Sequence, residues 1–474
     1  MTVTDNVQQE LQRGWNIHQQ KRFTAAEQIY REVLRHAPQN AYAWCYLGIV
    51  LHDQHKYQDA VNAYDRALQI DEQFPVALNN RGNSLRYLGE FEVADQSFQR
   101  AIDLKPDYLN AYKNRGTLHV WSGNLDKGLK YYLHALQLNP NEAELHRNLG
   151  VLYLLQGRFE EGWQEYRWRW RVGDLNRAYP NVPIWQGQDL TDKSILLTAE
   201  QGLGDTLHFV RFAVELQKLG AKTLVHCQPQ LIALLQSCRN LGAVYPNTLT
   251  PTTSFHYQCS LVDCADVLQV NLQSIPGECP YLNSTEQQCG YWQKYFATGA
   301  GRRQLEKLPA DVRKLRVGIA WQGNPDHQAD AFRSIPLTVF EPLAALPQVE
   351  LISLQSGFGT EQLAGWQGAR AITLLPADVD KSSGAFMDTA AIMQTLDLVV
   401  TSDTAIAHLA GGLGIPTWIA LGYVPDWRWL LARDDTPWYP SARLFRQSVI
   451  GQWHDVFNRI RDALSEIVAT RAIH

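Results

Sequence analysis

A period of 34 residues runs through the first 170 residues and narrows what this chain can fold into. Gly14, Gly48, Gly82, Gly116 and Gly150 fall in register, as do Phe23, Tyr57, Phe91, Leu125 and Phe159, and Ala26, Ala60, Ala94, Gly128 and Gly162. Tyr30, Tyr64, Phe98, Tyr132 and Tyr166 form a fourth column, and Pro38, Pro106 and Pro140 close three of the repeats. A unit this short cannot bury an apolar face alone, so consecutive units must stack. The columns predict about five helix pairs over residues 1–172. Small residues should lie where two helices cross, an aromatic plug should fill each pair, and proline should mark where a second helix stops.

These columns resemble the tetratricopeptide repeat, which implies a right-handed superhelix with a concave groove that takes up protein or peptide. Asn80, Asn114 and Asn148 recur two residues before the repeat glycine. An amide offers a donor and an acceptor together, so a row of them can pair with an extended peptide backbone. This is similar to the asparagine ladder of the repeat arm in protein O-GlcNAc transferases, although Tyr46 and Gln12 break the pattern in the earlier repeats. The alternative is that these asparagines are solvated or bridge helices. Arg81 and Arg115 either meet acidic peptide side chains or pair with neighbouring carboxylates. Trp163 to Trp170 (WQEYRWRW) reads as a cap that docks the array onto the second half of the chain, and residues 173–193, rich in Pro, Asn, Gly and Asp, read as a linker.

From Ser194 the pattern becomes short apolar strands alternating with helices, the signature of a doubly wound α/β fold. Strands are predicted at Ile195–Thr198, Thr223–His226, Tyr257–Val262, Val317–Trp321, Leu351–Leu354, Ala371–Leu375, Leu398–Thr401 and Thr417–Leu421. The polar stretch Thr285 to Arg313 divides them into lobes at 194–312 and 313–448, with a cleft expected at the carboxyl ends of the strands. The last segment, 449–474, is expected to be a helix that packs back on the first lobe. No apolar run approaches the ~18 residues of a membrane span, and the N-terminus lacks an export signal. The seven cysteines contain no Cys-x-x-Cys pair and read as reduced thiols of a cytoplasmic protein. A net charge of −5 without a basic block argues against nucleic acid as a partner.

Two loops carry chemistry. Leu398 to Leu421 reads as a buried strand, a turn with helix-capping types at Ser402, Asp403 and Thr404, a small-residue helix and a second buried strand. The first N–H groups of such a helix are unpaired and lie at the positive end of its dipole, so a phosphate can bind there. His408 follows Thr404 by one turn and adds a proton-bearing donor. Glu200-Gln201-Gly202-Leu203-Gly204-Asp205 follows the first strand of the other lobe. The two glycines allow a sharp turn, and Asp205 either caps a helix, acts as a general base toward a hydroxyl, or does both, with His208 in reserve. The third glycine and the acidic residue of a dinucleotide site are absent. Asp378-Val379-Asp380 reads as a solvated loop rather than a cation site. Aromatic residues at Tyr423 to Trp429 either stack on a base or belong to the core.

Residues 195–208, Val317 to Leu337 and Asp388 to Gln447, including DTAIAHLAG and PDWRWL, resemble GT-B glycosyltransferases of the heptosyltransferase-like group, in the form fused behind tetratricopeptide repeats. The resemblance implies two Rossmann-like lobes, with Asp205 as the catalytic base and Asp403, Thr404, Ala405 and His408 holding the sugar and diphosphate of a nucleotide-sugar. A basic residue of the second lobe usually contacts the phosphates in that group. No lysine stands in the corresponding loop, and Arg333 is the nearest candidate. Asn324 can donate to the same phosphates or form an ordinary Gly-Asn-Pro turn. The expected activity is an inverting, metal-independent transfer of sugar to a Ser or Thr hydroxyl of a protein in the repeat groove. A lipid-linked saccharide acceptor, or a scaffold with a degenerate cleft, stays open.

Overall fold

The structure is a computed structural model, and it describes residues 3–173, 175, 179–200, 202–238, 240–251, 253–298, 314–327, 329–366, 368 and 371–471. The expected boundary between lobes at residues 312 and 313, and Gln201 of the glycine loop, lie outside the described residues. The chain divides into two compact units, Met1–Leu152 and Tyr153–His474.

The first unit is a stack of helical hairpins: α1 (Val3–Gln19), α2 (Phe23–His36), α3 (Ala41–Asp53), α4 (Tyr57–Ile70), α5 (Pro75–Tyr87), α6 (Phe91–Leu104), α7 (Leu109–Trp121), α8 (Leu125–Leu138) and the greater part of α9 (Ala143–Leu155). The 34-residue columns are the reason. A Cβ at Gly14, Gly48, Gly82 or Gly116 would overlap the ring of Tyr30, Tyr64, Phe98 or Tyr132 respectively, so each repeat glycine is the floor on which the aromatic plug sits. Those four rings are at most 2% exposed. The residue before each repeat proline leaves the helical region, at φ −134° for Ala37, −141° for Lys105 and −144° for Asn139, because the proline ring clashes with a helical predecessor. First helices of successive hairpins also touch one another, α1 with α3, α3 with α5 and α5 with α7, which puts them on the inner side of the stack.

The second unit opens with the end of α9, then α10 (Phe159–Tyr166) and a 3-10 turn, Arg167–Arg171. This division falls within the last hairpin of the expected array. The last hairpin's second helix belongs with the α/β portion, where the Trp163 indole donates to the Val270 carbonyl at 3.0 Å and its ring lies 5.4 Å from that of Trp427. Arg169, buried at 4% exposure, is forked between Glu200 and Asp263 at 3.0 and 2.6 Å. A buried guanidinium needs such partners, so this ion triad fixes the cap on the lobe. Part of the expected linker is packed. Ile184 makes a parallel bridge to Gln258, and Trp185 is 3% exposed, so this stretch borders the first sheet.

Two all-parallel sheets come next. The first has the order β3-β2-β1-β4, from β1 (Ser194–Thr198), β2 (Lys222–Cys227), β3 (Ala243–Pro246) and β4 (Tyr257–Ser260). The second has the order β10-β9-β8-β5-β6-β7, from β5 (Leu315–Ala320), β6 (Val349–Ser353), β7 (Ile372–Thr373), β8 (Leu398–Ser402), β9 (Thr417–Leu421) and β10 (Ala442–Arg446). Strand order reverses between β1 and β4 in one sheet and between β5 and β8 in the other, and such switch points open crevices at the carboxyl ends of strands. The C-terminal helix, Trp453–Arg471, corrects the expectation for residues 449–474. Its apolar face, Trp453, Val456, Phe457, Ile460 and Leu464, joins the core of the second sheet, with the Phe457 ring 4.4 Å from Phe340, rather than returning to the first lobe. No helix of the described residues is long and apolar enough to cross a membrane.

Candidate functional site

The loops after β1 and β8 meet. Gly204 lies so close to the helix Ala405–Gly412 that a Cβ there would stand 3.2 Å from the His408 ring and 3.5 Å from the Ala405 Cα. Glycine at this position lets two helix beginnings approach, and it brings Asp205 to the same place as Thr404, Ala405 and His408. Asp205 is not the N-cap of its helix. Gly202 holds that position, and Asp205 lies in the first turn of Leu203–Phe209.

The Asp205 carboxylate accepts from Arg428 Nη2 at 2.7 Å, and its side chain is 40% exposed while that of Arg428 is 9% exposed. Arg428 Nη1 donates to Asp426 at 2.8 Å, and the guanidinium lies 4.5 Å from the Trp427 ring centroid and 5.1 Å from that of Phe209. Withdrawal from water lifts the Asp205 carboxyl above its ordinary value, against the pull of Arg428. Asp426 moves the other way: burial raises it, but the charge and hydrogen bonds of Arg428 outweigh burial.

Thr404 is the extended N-cap residue of Ala405–Gly412, with φ −143° and no side-chain capping bond. Among the described residues, Ser402 Oγ and Thr404 Oγ1 are buried hydroxyls without a hydrogen-bond partner. Orphaned hydroxyls beside the unpaired N–H groups of a helix start are costly unless something polar occupies the space. Arg333 reaches the same turn, donating from Nη1 to the Asp403 carbonyl at 3.2 Å and from Nε to Asp330 at 3.3 Å. Asn324 is exposed and accepts from the Asp326 N–H at 3.0 Å, which is the geometry of a turn.

The two histidines converge on Tyr439. His208 is fully buried, its Nδ1 2.7 Å from the Tyr439 hydroxyl, so it faces the interior and not an acceptor. His408 Nδ1 is 2.9 Å from the same hydroxyl, and its ring stacks on Trp429 at 5.4 Å. Burial pushes the His408 imidazole down to about 3 and that of His208 well below its ordinary value, aided by Arg428 and Arg211 respectively. Both are neutral at physiological pH, and His408 can offer at most one N–H. Trp427 and Trp429, at 2% and 0% exposure, are core. Asp380 accepts from the N–H groups of Asp388 and Thr389, at 2.7 and 3.1 Å, and so anchors the start of the helix Met387–Met393.

Asp403 gives a test of this electrostatic arrangement. Burial first, and then the nearby Asp426 charge, push its carboxyl up to about 6 from 3.8. Between those values the folded protein holds a proton that the unfolded chain has released, so stability falls as pH rises from about 4 to 6 and stays lower above that window. Asp403→Asn is expected to be more stable than the parent at pH 7.5 by about 1–3 kcal/mol, with the difference gone at pH 4, in urea melts followed by circular dichroism.

In the helical unit, the three expected ladder asparagines are partly engaged. Asn114 Nδ2 donates to Asn79 Oδ1 at 2.9 Å, Asn79 donates to Asn80 at 3.2 Å, and Asn148 accepts from Arg147 at 3.2 Å. All three are half-buried, with Asn80 and Asn114 on the inner helices α5 and α7. Arg81 pairs with Asp65 at 2.6 Å and Arg115 with Asp95 at 2.7 Å, so both cations are internally matched.

Residues 41–74, 75–108 and 131–164 each match the tetratricopeptide repeat family. The chain carries tetratricopeptide repeats. Protein FlbA of Caulobacter vibrioides is 25% identical over 342 residues, 65% of this chain and 52% of FlbA, so the chain spans about half the length of that relative. Among solved structures, PilF of Pseudomonas aeruginosa is 22% identical, covering 37% of this chain and 79% of its own, with a TM-score of 0.34. The tetratricopeptide repeat protein TTC0263 of Thermus thermophilus is 20% identical, covering 35% and 90%, with a TM-score of 0.33.

Beyond the repeats, the residues that sequence reasoning passed over are Arg428, Asp426 and Tyr439. A signal for the first was present. Arg428 stands between two tryptophans in PDWRWL, and a cation in an aromatic run must find buried partners. Tyr439 gave none, since its role depends on which two histidines converge on it.

Proposed function

We propose that the α/β portion is a GT-B glycosyltransferase that moves a sugar, with inversion and without a metal, from a nucleotide-sugar to a Ser or Thr hydroxyl of a protein engaged by the tetratricopeptide repeats. The observation that carries this reading is the convergence, at the switch points of two parallel sheets, of a part-exposed carboxylate with a helix start edged by unpartnered hydroxyls. In the reaction, Asp205 accepts the acceptor proton as that oxygen attacks the anomeric carbon and the bond to the diphosphate breaks. The departing charge falls to the N–H groups of Ala405–Gly412, the hydroxyls of Ser402 and Thr404, and Arg333. His408 and Thr404 orient the donor. Asn324, held in its turn, plays a lesser part, and His208 supports the fold through Tyr439. Seven unpaired thiols are in keeping with a cytoplasmic enzyme.

The melting temperature with UDP, GDP, ADP or CDP, EDTA present throughout, tests the donor site, because a ligand that binds only the native state raises it. One of the four at 100 times its Kd should stabilise by about 2.7 kcal/mol. No shift with any of them would favour a repeat scaffold over an enzyme.

A further inference from the structure

We propose that Arg428 is a latch shared between Asp205 and the donor phosphates, so that arrival of a nucleoside diphosphate frees the Asp205 carboxylate for the acceptor. The proposal rests on the glycosyltransferase reading above and concerns how its two substrates are coupled.

The charge arrangement leads to it. Two guanidiniums, Arg333 and Arg428, share the site with the carboxylates of Asp205, Asp403 and Asp426, and Arg333 is already bonded to Asp330 and the Asp403 carbonyl. Both guanidiniums are already bonded, so a diphosphate that takes either must draw it from existing partners. Arg428 is the cation suited to this. Its side chain is 9% exposed, yet its Nε is buried without a hydrogen-bond partner. Its charge is felt at both Asp403 and His408, the residues flanking the helix start. Its guanidinium lies 4.5 Å from the Trp427 ring centroid and 5.1 Å from that of Phe209, contacts that a small shift between neighbouring acceptors keeps.

Of its two carboxylates, one is easier to leave. Asp426 lies two residues away and accepts both the Arg428 backbone N–H at 3.0 Å and Nη1 at 2.8 Å. Asp205 comes from the other lobe and holds Arg428 by a single bond from Nη2. Its side chain is 40% exposed, so water can take over the released oxygen. Phosphate oxygens offer the fork geometry that guanidinium prefers, and Nη2 with the idle Nε forms that fork. Without donor, the base remains tied in an ion pair; with donor, it is free to accept a proton.

Titration calorimetry on the full chain separates this from simple charge repulsion. Binding of UDP, GDP, ADP and CDP is measured for the parent, Asp205→Asn, Arg428→Gln and the double variant, with the matching nucleoside as a phosphate-free control. The latch predicts that Asp205→Asn binds the responsive nucleoside diphosphate at least 5-fold more tightly than the parent, that this gain vanishes in the Arg428→Gln background, and that the nucleoside shows no gain. A gain that persists without Arg428 means that Asp205 merely repels the anion, and it overturns the latch, as does no gain at all. If Arg428→Gln does not fold, Arg428→Lys replaces it; lacking the fork, it should lose most of the gain, and a full gain with lysine overturns the proposal. Binding of a nucleotide with no Asp205→Asn gain sinks the latch alone, whereas no binding of any of the four sinks the glycosyltransferase reading and the latch with it.

Discussion

Asp205→Asn is expected to lower kcat for sugar transfer by roughly 10²–10⁴-fold while nucleotide binding is kept or strengthened. The substitution preserves the shape of a side chain in the first turn of Leu203–Phe209 and removes only its capacity to take a proton. Its fold should survive, because the carboxylate is part-exposed and its bond to Arg428 is one of several that hold that guanidinium. Binding and catalysis should therefore separate. A nucleotide-dependent melting shift equal to or larger than that of the parent, beside near-abolished transfer in a single-turnover assay, is the expected pair of results. Full activity in this variant would remove Asp205 from the mechanism.

The largest expected loss of stability comes from Arg211, which touches no ligand-binding group directly. It is 2% exposed and donates to the carbonyls of His208, Pro276 and Trp438 at 2.9, 3.0 and 2.8 Å and to the Tyr281 hydroxyl at 2.9 Å. Its guanidinium also lies 4.7 Å from the Tyr281 ring centroid and 4.6 Å from that of Tyr439. Burial alone would lower its affinity for the proton, yet the surrounding tyrosines and their hydrogen bond keep it raised. Arg211→Ala leaves three buried carbonyls and a hydroxyl without their donor and opens a cavity among aromatic rings. The expected cost is about 3–5 kcal/mol, read in urea melts of the parent and variant. Arg211→Lys should recover little, because one ammonium cannot reach four acceptors set out for a planar fork. Since Tyr439 also bridges His208 and His408, the Arg211→Ala variant should lose nucleotide binding together with stability.

Most of the architecture could be read from local pattern. The repeat glycines and plugs met as the period required, because a column of small residues opposite a column of rings has one way to pack. The apolar runs from Ile195 and Val317 became central strands, since a strand buried on both faces must be apolar throughout. The strands that escaped notice, Ala243–Pro246 and Ala442–Arg446, are the edge strands β3 and β10. One ends in proline and the other carries two arginines in five residues, features that edges tolerate and central strands do not. The site divides along a similar line. Gly204 and Asp205, and the run from Ser402 to His408, announced themselves by turn and capping chemistry. Arg428 stands 223 residues from Asp205, and no local rule pairs them.

Sequence alone determined the tetratricopeptide repeats, the two groups of parallel strands and the loops after β1 and β8, because each derives from periodicity, burial or turn preference within a few dozen residues. Tertiary structure decided which charges meet. It placed Arg428 between Asp205 and Asp426, sent the C-terminal helix to the second sheet, and drew α10 and the arginine turn onto the α/β unit through Arg169. A buried charge has no preferred partner until the chain closes around it, and whichever opposite charge is then within reach is the one that keeps it there.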